Sequence, residues 1–292
     1  MANELAAFSQ ELAAAVDTAA KFVVAVHARP RFSSSGVFWR PGVIVTAEHT
    51  IRREEEITVT LPDGTQIPAT LAGSDAGSDL AVLRVEHVGH GAAPAAAQTI
   101  APGHVALSIG RSRDSGVNAS MGILSAVSGE WRTWRGGRLD HYIRLDLTLF
   151  PGSDGGLIVN TAGEPIGIAT SALSRIAGLA IPASNVNRVV DEILARGSVS
   201  RGYLGVGLQP VELPEHQKGL IVLSLEHHGP AAHGGLMIGD IVTTVAGVQV
   251  GDTDDVQTAL EKHGAGSSVE LGLLRGGEAR KLTVVVGERR RG

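Results

Sequence analysis

The chain has 292 residues, a formal net charge of −5 and no cysteine, which excludes a disulfide framework and thiolate chemistry and gives no general electrostatic case for nucleic acid. Apolar residues make up 43% and charged residues 19%, a globular rather than a disordered balance, and the length predicts two domains. With aromatics at only 3%, the cores must be built from Val, Ile, Leu and Ala, and 38 glycines demand frequent turns.

Leu5, Phe8, Leu12 and Val16 recur at spacings of three and four between Asn3 and Lys21, which predicts a helix with one apolar stripe. Glu4, Glu11 and Asp17 interrupt that segment, so it reads as neither signal peptide nor membrane span. As written the chain is expected in the cytoplasm; a leader removed upstream would place it in the periplasm or elsewhere outside the cytoplasm. From Phe22 onward short β-branched runs recur at 42–46, 57–61, 80–85, 104–109, 121–127, 142–147, 157–159 and 165–170, separated by Gly, Pro, Asp and Ser clusters. Strands at this rhythm without intervening helices predict an antiparallel barrel or sandwich. Val186, Val189, Val190, Ile193 and Leu194 predict a helix over 182–195, stopped at Gly197. The pattern then changes to a small α+β unit, with strands near 204–208, 219–225 and 241–245, a helix over 253–263, and a hairpin at Gly276-Gly277. The expected division is an N-terminal helix (1–21), a β domain (22–196), a linker (197–201), the α+β domain (202–288) and a basic tail (289–292).

Three segments carry chemistry. Thr46-Ala47-Glu48-His49 follows a Val-rich strand, Ser78-Asp79-Leu80 opens another, and Pro151-Gly152-Ser153-Asp154-Gly155-Gly156-Leu157 forms a glycine-rich turn. Each alone is weak, but the order His, Asp, nucleophile loop separates one type of triad hydrolase from the others. On these residues, with Gly178-Leu179-Ala180-Ile181-Pro182 and Arg201-Gly202-Tyr203-Leu204-Gly205-Val206, the chain resembles the HtrA/DegP family of trypsin-like serine proteases with a C-terminal PDZ domain. The resemblance runs from roughly Phe22 to Glu288. It implies a mainly β fold: a chymotrypsin-like double β-barrel followed by a small α+β PDZ domain.

Carried over residue by residue, the resemblance makes His49 the general base, Asp79 its orienting partner, and the amides of Gly152 and residue 154 the oxyanion hole. The departures fall where the chemistry is most sensitive. Asp154 stands where the nucleophilic Ser is expected, Ser153 replaces an Asn, and Leu157 replaces a Pro or small residue. A carboxylate is a poor nucleophile toward amides and would repel a developing oxyanion. The expectation is therefore a non-catalytic protease homologue that binds polypeptide segments or C-termini as a scaffold, regulator or chaperone-like factor. The alternative is an active endopeptidase using Ser153. Neighbouring residues lie about 3.8 Å apart, so Ser153 could serve only if the loop slipped by one position. A purely structural subunit is the third reading. The family often assembles as trimers, which makes a homotrimer the default oligomer.

His49, Asp79 and Asp154 also form an imidazole-plus-two-carboxylates set of the kind that binds metals. Asp79 is expected on the other ring nitrogen, so an ion pair with no metal and no cofactor is the preferred reading. The flanking carboxylates predict a folded pKa for His49 above 6.5. His87, His90, His227, His228 and His233 fall in expected loops and read as surface residues. Trp131-Arg132-Thr133-Trp134-Arg135 combines residue types enriched in binding surfaces, although a Trp there would equally cap a barrel end. In the C-terminal domain the resemblance implies capture of a partner's last residues as an added strand, the carboxylate held by amides of the Gly202–Gly205 loop with Arg201 and Tyr203 nearby. Leu204, Val206, Val256 and Leu260 would receive the terminal side chain. A packed element serving oligomer contacts is the alternative.

Overall fold

The computed structural model describes residues 2–86, 91–113, 116–197, 199, 202–261, 263 and 265–288. The chain divides into two compact units, 1–199 and 200–292. The first opens with helix α1 (Ala2–Ala20) and continues through β1 (Val23–His27), β2 (Ser34–Arg40), β3 (Val43–Ala47), β4 (Ile57–Thr60), β5 (Gln66–Asp75) and β6 (Leu80–Arg84). These strands close into a barrel in the order β1-β2-β3-β6-β5-β4. A second barrel, ordered β11-β14-β13-β12-β7-β8, comprises β7 (Val105–Ser112), β8 (Gly116–Ser128), β11 (Tyr142–Asp146), β12 (Leu157–Val159), β13 (Pro165–Thr170) and β14 (Leu179–Pro182). Between β8 and β11 lies a small hairpin of β9 (Trp131–Arg132) and β10 (Arg138–Leu139).

The near-continuous apolar runs follow from burial on both strand faces. Val24, Val26, Phe38, Ile44 and Leu83 fill the first barrel, and Leu124, Ile143, Leu145 and Ile158 fill the second. Alternate residues of several of these strands (Val23, Val37, Val45, Leu80, Val82, Ile109, Leu157, Ile168) form a third cluster together with residues of both helices. β2 and β5 escape the strand reading. β2 begins with buried Ser34 and Ser35, not apolar residues, and β5 is only partly covered along its length.

Helix α2 (Ala183–Arg196) inserts Val186, Val189, Val190 and Ile193 into that third cluster. It ends at Gly197, whose φ of 78° is the left-handed conformation of a C-cap. In α1 the predicted stripe is only half used: Leu5 and Phe8 are exposed, Leu12 and Val16 pack partly, and the buried contacts are Ala15, Ala19 and Ala20. Buried Arg111 fixes the helix end by donating from Nε to Val23 O (2.6 Å) and from a guanidinium nitrogen to Ala20 O (3.0 Å). Small side chains thus bring the helix close to the barrel while larger ones remain in solvent. Among the described residues, no helix is long and apolar enough to cross a membrane.

The second unit contains β15 (Gly202–Tyr203), β16 (Val206–Glu212), β17 (Lys218–Leu225), helix α3 (Pro230–His233), β18 (Ile241–Val245), β19 (Val248–Gln249), helix α4 (Thr253–Glu261), β20 (Ser268–Arg275), β21 (Glu278–Val285) and β22 (Gly287–Glu288). Its sheet runs β16-β17-β18-β20-β21, leaving β16 at an edge, and α4 packs against β16.

Candidate active site

His49 lies in a single 3-10 turn, Glu48–Thr50, directly after β3, and Asp79 immediately precedes β6. Because β3 and β6 pair with Ala47 opposite Leu80, the barrel register brings these side chains together. Asp79 adopts φ 57°, a left-handed conformation that Asp tolerates better than most residues. Asp154 is held from the opposite side: Ser35 N donates to Asp154 O (3.0 Å) and Gly155 N to Ala169 O (2.9 Å). Two glycines make that close approach possible. A Cβ on Gly155, at φ 81°, would lie 2.3 Å from Ser35 O, and one on Gly156 would lie 2.5 Å from Ile109 O.

The result is a linear carboxylate–imidazole–carboxylate array. His49 Nδ1 sits 2.9 Å from Asp79 Oδ2, and its Nε2 lies 3.6 Å from Asp154 Oδ2, an ion-pair distance longer than a good hydrogen bond. Asp79 is fully buried and also accepts from His49 N (2.9 Å) and Thr170 Oγ1 (2.5 Å). Arg135 approaches the same carboxylate at 3.8 Å and Glu48 at 3.5 Å. Asp154 accepts from Ser171 N (2.7 Å) and Ser171 Oγ (3.1 Å). Each ring nitrogen of His49 thus faces its own carboxylate, so the three groups do not converge on one point. Among the described residues no group of three or more His, Asp or Glu side chains is arranged to hold a metal.

Burial alone would push the His49 pKa down. The ion pairing with Asp154 and the hydrogen bond and negative charge of Asp79 outweigh it and raise the value from 6.5 to about 9. Asp154 is likewise held below the usual carboxylate range: its own burial opposes this, and His49 and Ser171 overcome it. The raised His49 value contributes stability that is complete below pH 6.5 and is lost as pH rises through about 9. The depressed Asp154 value contributes above the ordinary carboxylate pKa and is lost as pH falls through the folded one. These are two views of one coupled array, and they do not add. In Asp154→Asn the His49 ring protons, followed by NMR, are expected to titrate well below 9, and the stability loss between pH 6.5 and 9 should shrink. An unchanged His49 titration would contradict the role given to Asp154.

Ser153 is 2% exposed, and its Oγ donates to Asn118 Oδ1 at 3.1 Å, while His49 Nε2 faces Asp154. The slipped loop is therefore not the conformation present. Gly152, at φ 93°, offers its carbonyl to Ser35 Oγ (2.7 Å). The amides of Gly152 and Asp154 have no hydrogen-bond acceptor among the described residues. Leu157 is fully buried among Ile109, Ile168 and other core residues, so its departure from the usual small residue concerns packing rather than the cleft. Thr170, Ser171 and Asn118 escaped sequence reasoning as members of the site, because each is separated along the chain from the residue it contacts and carries no local motif. Arg135 was marked only as part of a candidate binding segment, not as a neighbour of Asp79.

In the second unit Arg201, like His87 and His90, lies outside the described residues. Gly202 pairs with Glu288, and a Cβ there would come within 2.8 Å of Leu260 Cβ. Tyr203 Oη donates to Glu226. Leu204 O accepts from Ala231 N and Gly205 O from Glu226 N, both at 2.9 Å. In planar trans peptides the following amides, those of Gly205 and Val206, point away from these partners. Leu204, Val256 and Leu260 are 5%, 4% and 1% exposed and belong to this unit's core, with Val206 half-buried against it. Of the four side chains expected to receive a terminal side chain, three are thus buried and Val206 is the partly exposed one. His227 and His228 make an edge contact with ring centroids 4.7 Å apart, and His228 stacks at 6.3 Å on His233.

Two barrels carrying a His–Asp pair and a glycine-rich turn, followed by a small sheet with two short helices, define a trypsin-like peptidase fold joined to a PDZ domain. Family models agree: a trypsin-like peptidase domain matches residues 34–168 and a PDZ domain residues 202–286. The chain belongs to the HtrA, or DegP-like, family. It is 32% identical over 280 residues to a probable periplasmic serine endoprotease DegP-like of Brucella suis biovar 1, covering 89% of this chain and 53% of that protein. The corresponding protein of Halomonas elongata is 33% identical, with 89% and 57% covered. The chain thus spans about half the length of these curated relatives. Among solved structures, the HtrA-type protease AlgW with a decapeptide superposes with a TM-score of 0.79 at 29% identity, covering 96% of this chain and 99% of the other. The serine endoprotease from Yersinia pestis gives 0.78 at 30% identity, covering 94% and 97%.

Proposed function

We propose that this chain is a non-catalytic HtrA homologue that binds polypeptide segments and C-termini. The observation carrying it is the Asp154 carboxylate, which occupies the nucleophile position, pairs with the general-base imidazole and is anchored by two bonds from Ser171. His49 held protonated by two carboxylates cannot take a proton from a nucleophile until pH approaches about 9. The negative charge also sits beside the Gly152 and Asp154 amides that would stabilise an oxyanion. Catalysis through Ser153 is disfavoured by the burial of its hydroxyl against Asn118. The purified protein should leave unfolded casein intact over long incubation and remain unlabelled by an active-site phosphonate. Cleavage abolished in Ser153→Ala but retained in Asp154→Ala would overturn this reading.

Similar structures are of AlgW with a decapeptide and with a tripeptide, which supports peptide binding by this chain, and the PDZ domain is the part to which we assign it. The amides of Gly205 and Val206 supply the carboxylate site, and β16 supplies the edge for strand addition. A short peptide buries little surface, so micromolar affinity is the expected scale, about −8 kcal/mol. Peptides ending in a free carboxylate and an apolar residue should bind the full chain, with C-terminal amidation lowering affinity beyond detection by calorimetry. Equal binding of free and amidated forms would remove this role. A homotrimer belongs to the same reading on family resemblance. The curated relatives are named periplasmic, which supports an extracytoplasmic place over the cytoplasmic expectation.

A further inference from the structure

Trp134 is 71% exposed in a protein with only three tryptophans. A single exposed apolar side chain is ordinary; what distinguishes Trp134 is how firmly it is held. It occupies the turn of the β9–β10 hairpin, closed by Gly136 N donating to Thr133 O (2.8 Å) and Thr133 N donating to Gly137 O (2.8 Å). Thr133 Oγ1 ties that turn to Gly77 O at 2.7 Å, and Gly137 lies so close that a Cβ there would come within 2.1 Å of the same carbonyl. The indole Nε1 donates to Ala172 O (3.3 Å), and the Arg135 guanidinium stacks 4.8 Å from the ring centroid.

This places the ring beside the candidate active site. Ala172 follows Ser171, the anchor of Asp154, and Arg135 reaches Asp79 and Glu48. The stacked guanidinium covers one face of the indole, and the high exposure leaves the other to solvent. The Ser171 amide is already bonded to Asp154, so an incoming chain meets side chains here before backbone donors. A rigid aromatic with few rotamers to lose is the kind of group that anchors recognition.

We propose that Trp134, braced by Arg135 and Ala172, is a stacking platform of the barrel unit for an aromatic or long aliphatic side chain of an extended polypeptide. The assignment rests on the polypeptide-binding reading above and is separate from C-terminus capture, since it requires no free carboxylate.

The test uses the full chain and two N-acetylated, C-amidated twelve-residue peptides of Ser, Thr and Gln that differ only in one central Phe or Ala. Amidation removes the PDZ contribution. Trp39 is nearly buried and Trp131 half-buried against Tyr142, so Trp134 dominates quenching by added acrylamide. The Phe peptide should protect it from quenching and bind at least about tenfold more tightly than the Ala peptide. Trp134→Ala should erase that difference in anisotropy measurements with labelled peptide, and Trp134→Phe should retain most of it. Equal binding of the Phe peptide to wild type and Trp134→Ala would overturn the platform while leaving polypeptide binding intact. No binding of either peptide to wild type would overturn the platform, and with it any polypeptide role of the barrel unit. Protection of Trp134 by an oligosaccharide but by neither peptide would reassign it to sugar stacking and overturn the proposal.

Discussion

Asp154→Ser is expected to give slow but measurable cleavage of unfolded casein, where the wild-type chain is expected to give none. Loss of one triad member costs on the order of a millionfold in turnover in a working protease, so restoring a hydroxyl has the largest range of any single change here. The substitution also removes the carboxylate facing His49 Nε2, letting the imidazole pKa fall from about 9 toward the range where it can accept a proton. Asp79 remains buried with its bonds from His49 and Thr170, and the Gly152 amide remains available. No change at Ser153 is needed, because its side chain faces Asn118, and Leu157 is no obstacle because it lies in the core. Full activity is not expected. Arg135, 3.8 Å from Asp79, draws on the charge that should stabilise the imidazolium, and small misplacements of a nucleophile are costly. A folded variant whose His49 titrates normally yet cleaves nothing would mean that more than the nucleophile has been lost.

Leu260→Glu should unfold the PDZ unit rather than merely block a ligand. Leu260 is 1% exposed, and Gly202 is a glycine at the point where α4 crosses it, with no room for a Cβ beside Leu260. A carboxylate there would be buried without a partner, at a cost of several kcal/mol, on the order of the whole stability of a small domain. Circular dichroism and limited proteolysis should show the second unit lost while the barrel unit persists, since each has its own core. A soluble, protease-resistant PDZ unit carrying this substitution would show that Leu260 sits at an adaptable groove instead. Changes at half-buried Val206 are the better probe of peptide binding.

The sequence by itself determined the β-rich class, the order His49, Asp79, Asp154, the terminus of α2 at Gly197 and the switch to an α+β unit. These are local signals: strand-length apolar runs, turn glycines and a motif whose order is diagnostic. The sign of the His49 shift was also legible, because two carboxylates beside one imidazole leave little choice of direction. Tertiary structure decided the rest. β2 and β5 form through pairing with neighbours, and their own side chains carry no clean alternation. Whether Ser153 or Asp154 faces His49 depends on a turn fixed by Ser35, Ala169 and Phe150, all distant in sequence or outside the motif. The Trp pair split in the same way: Trp131 packs edge-on against Tyr142, while Trp134, three residues on, stands in solvent beside Ala172. Composition treats the two as equivalent; only the hairpin turn assigns one ring to packing and the other to the surface.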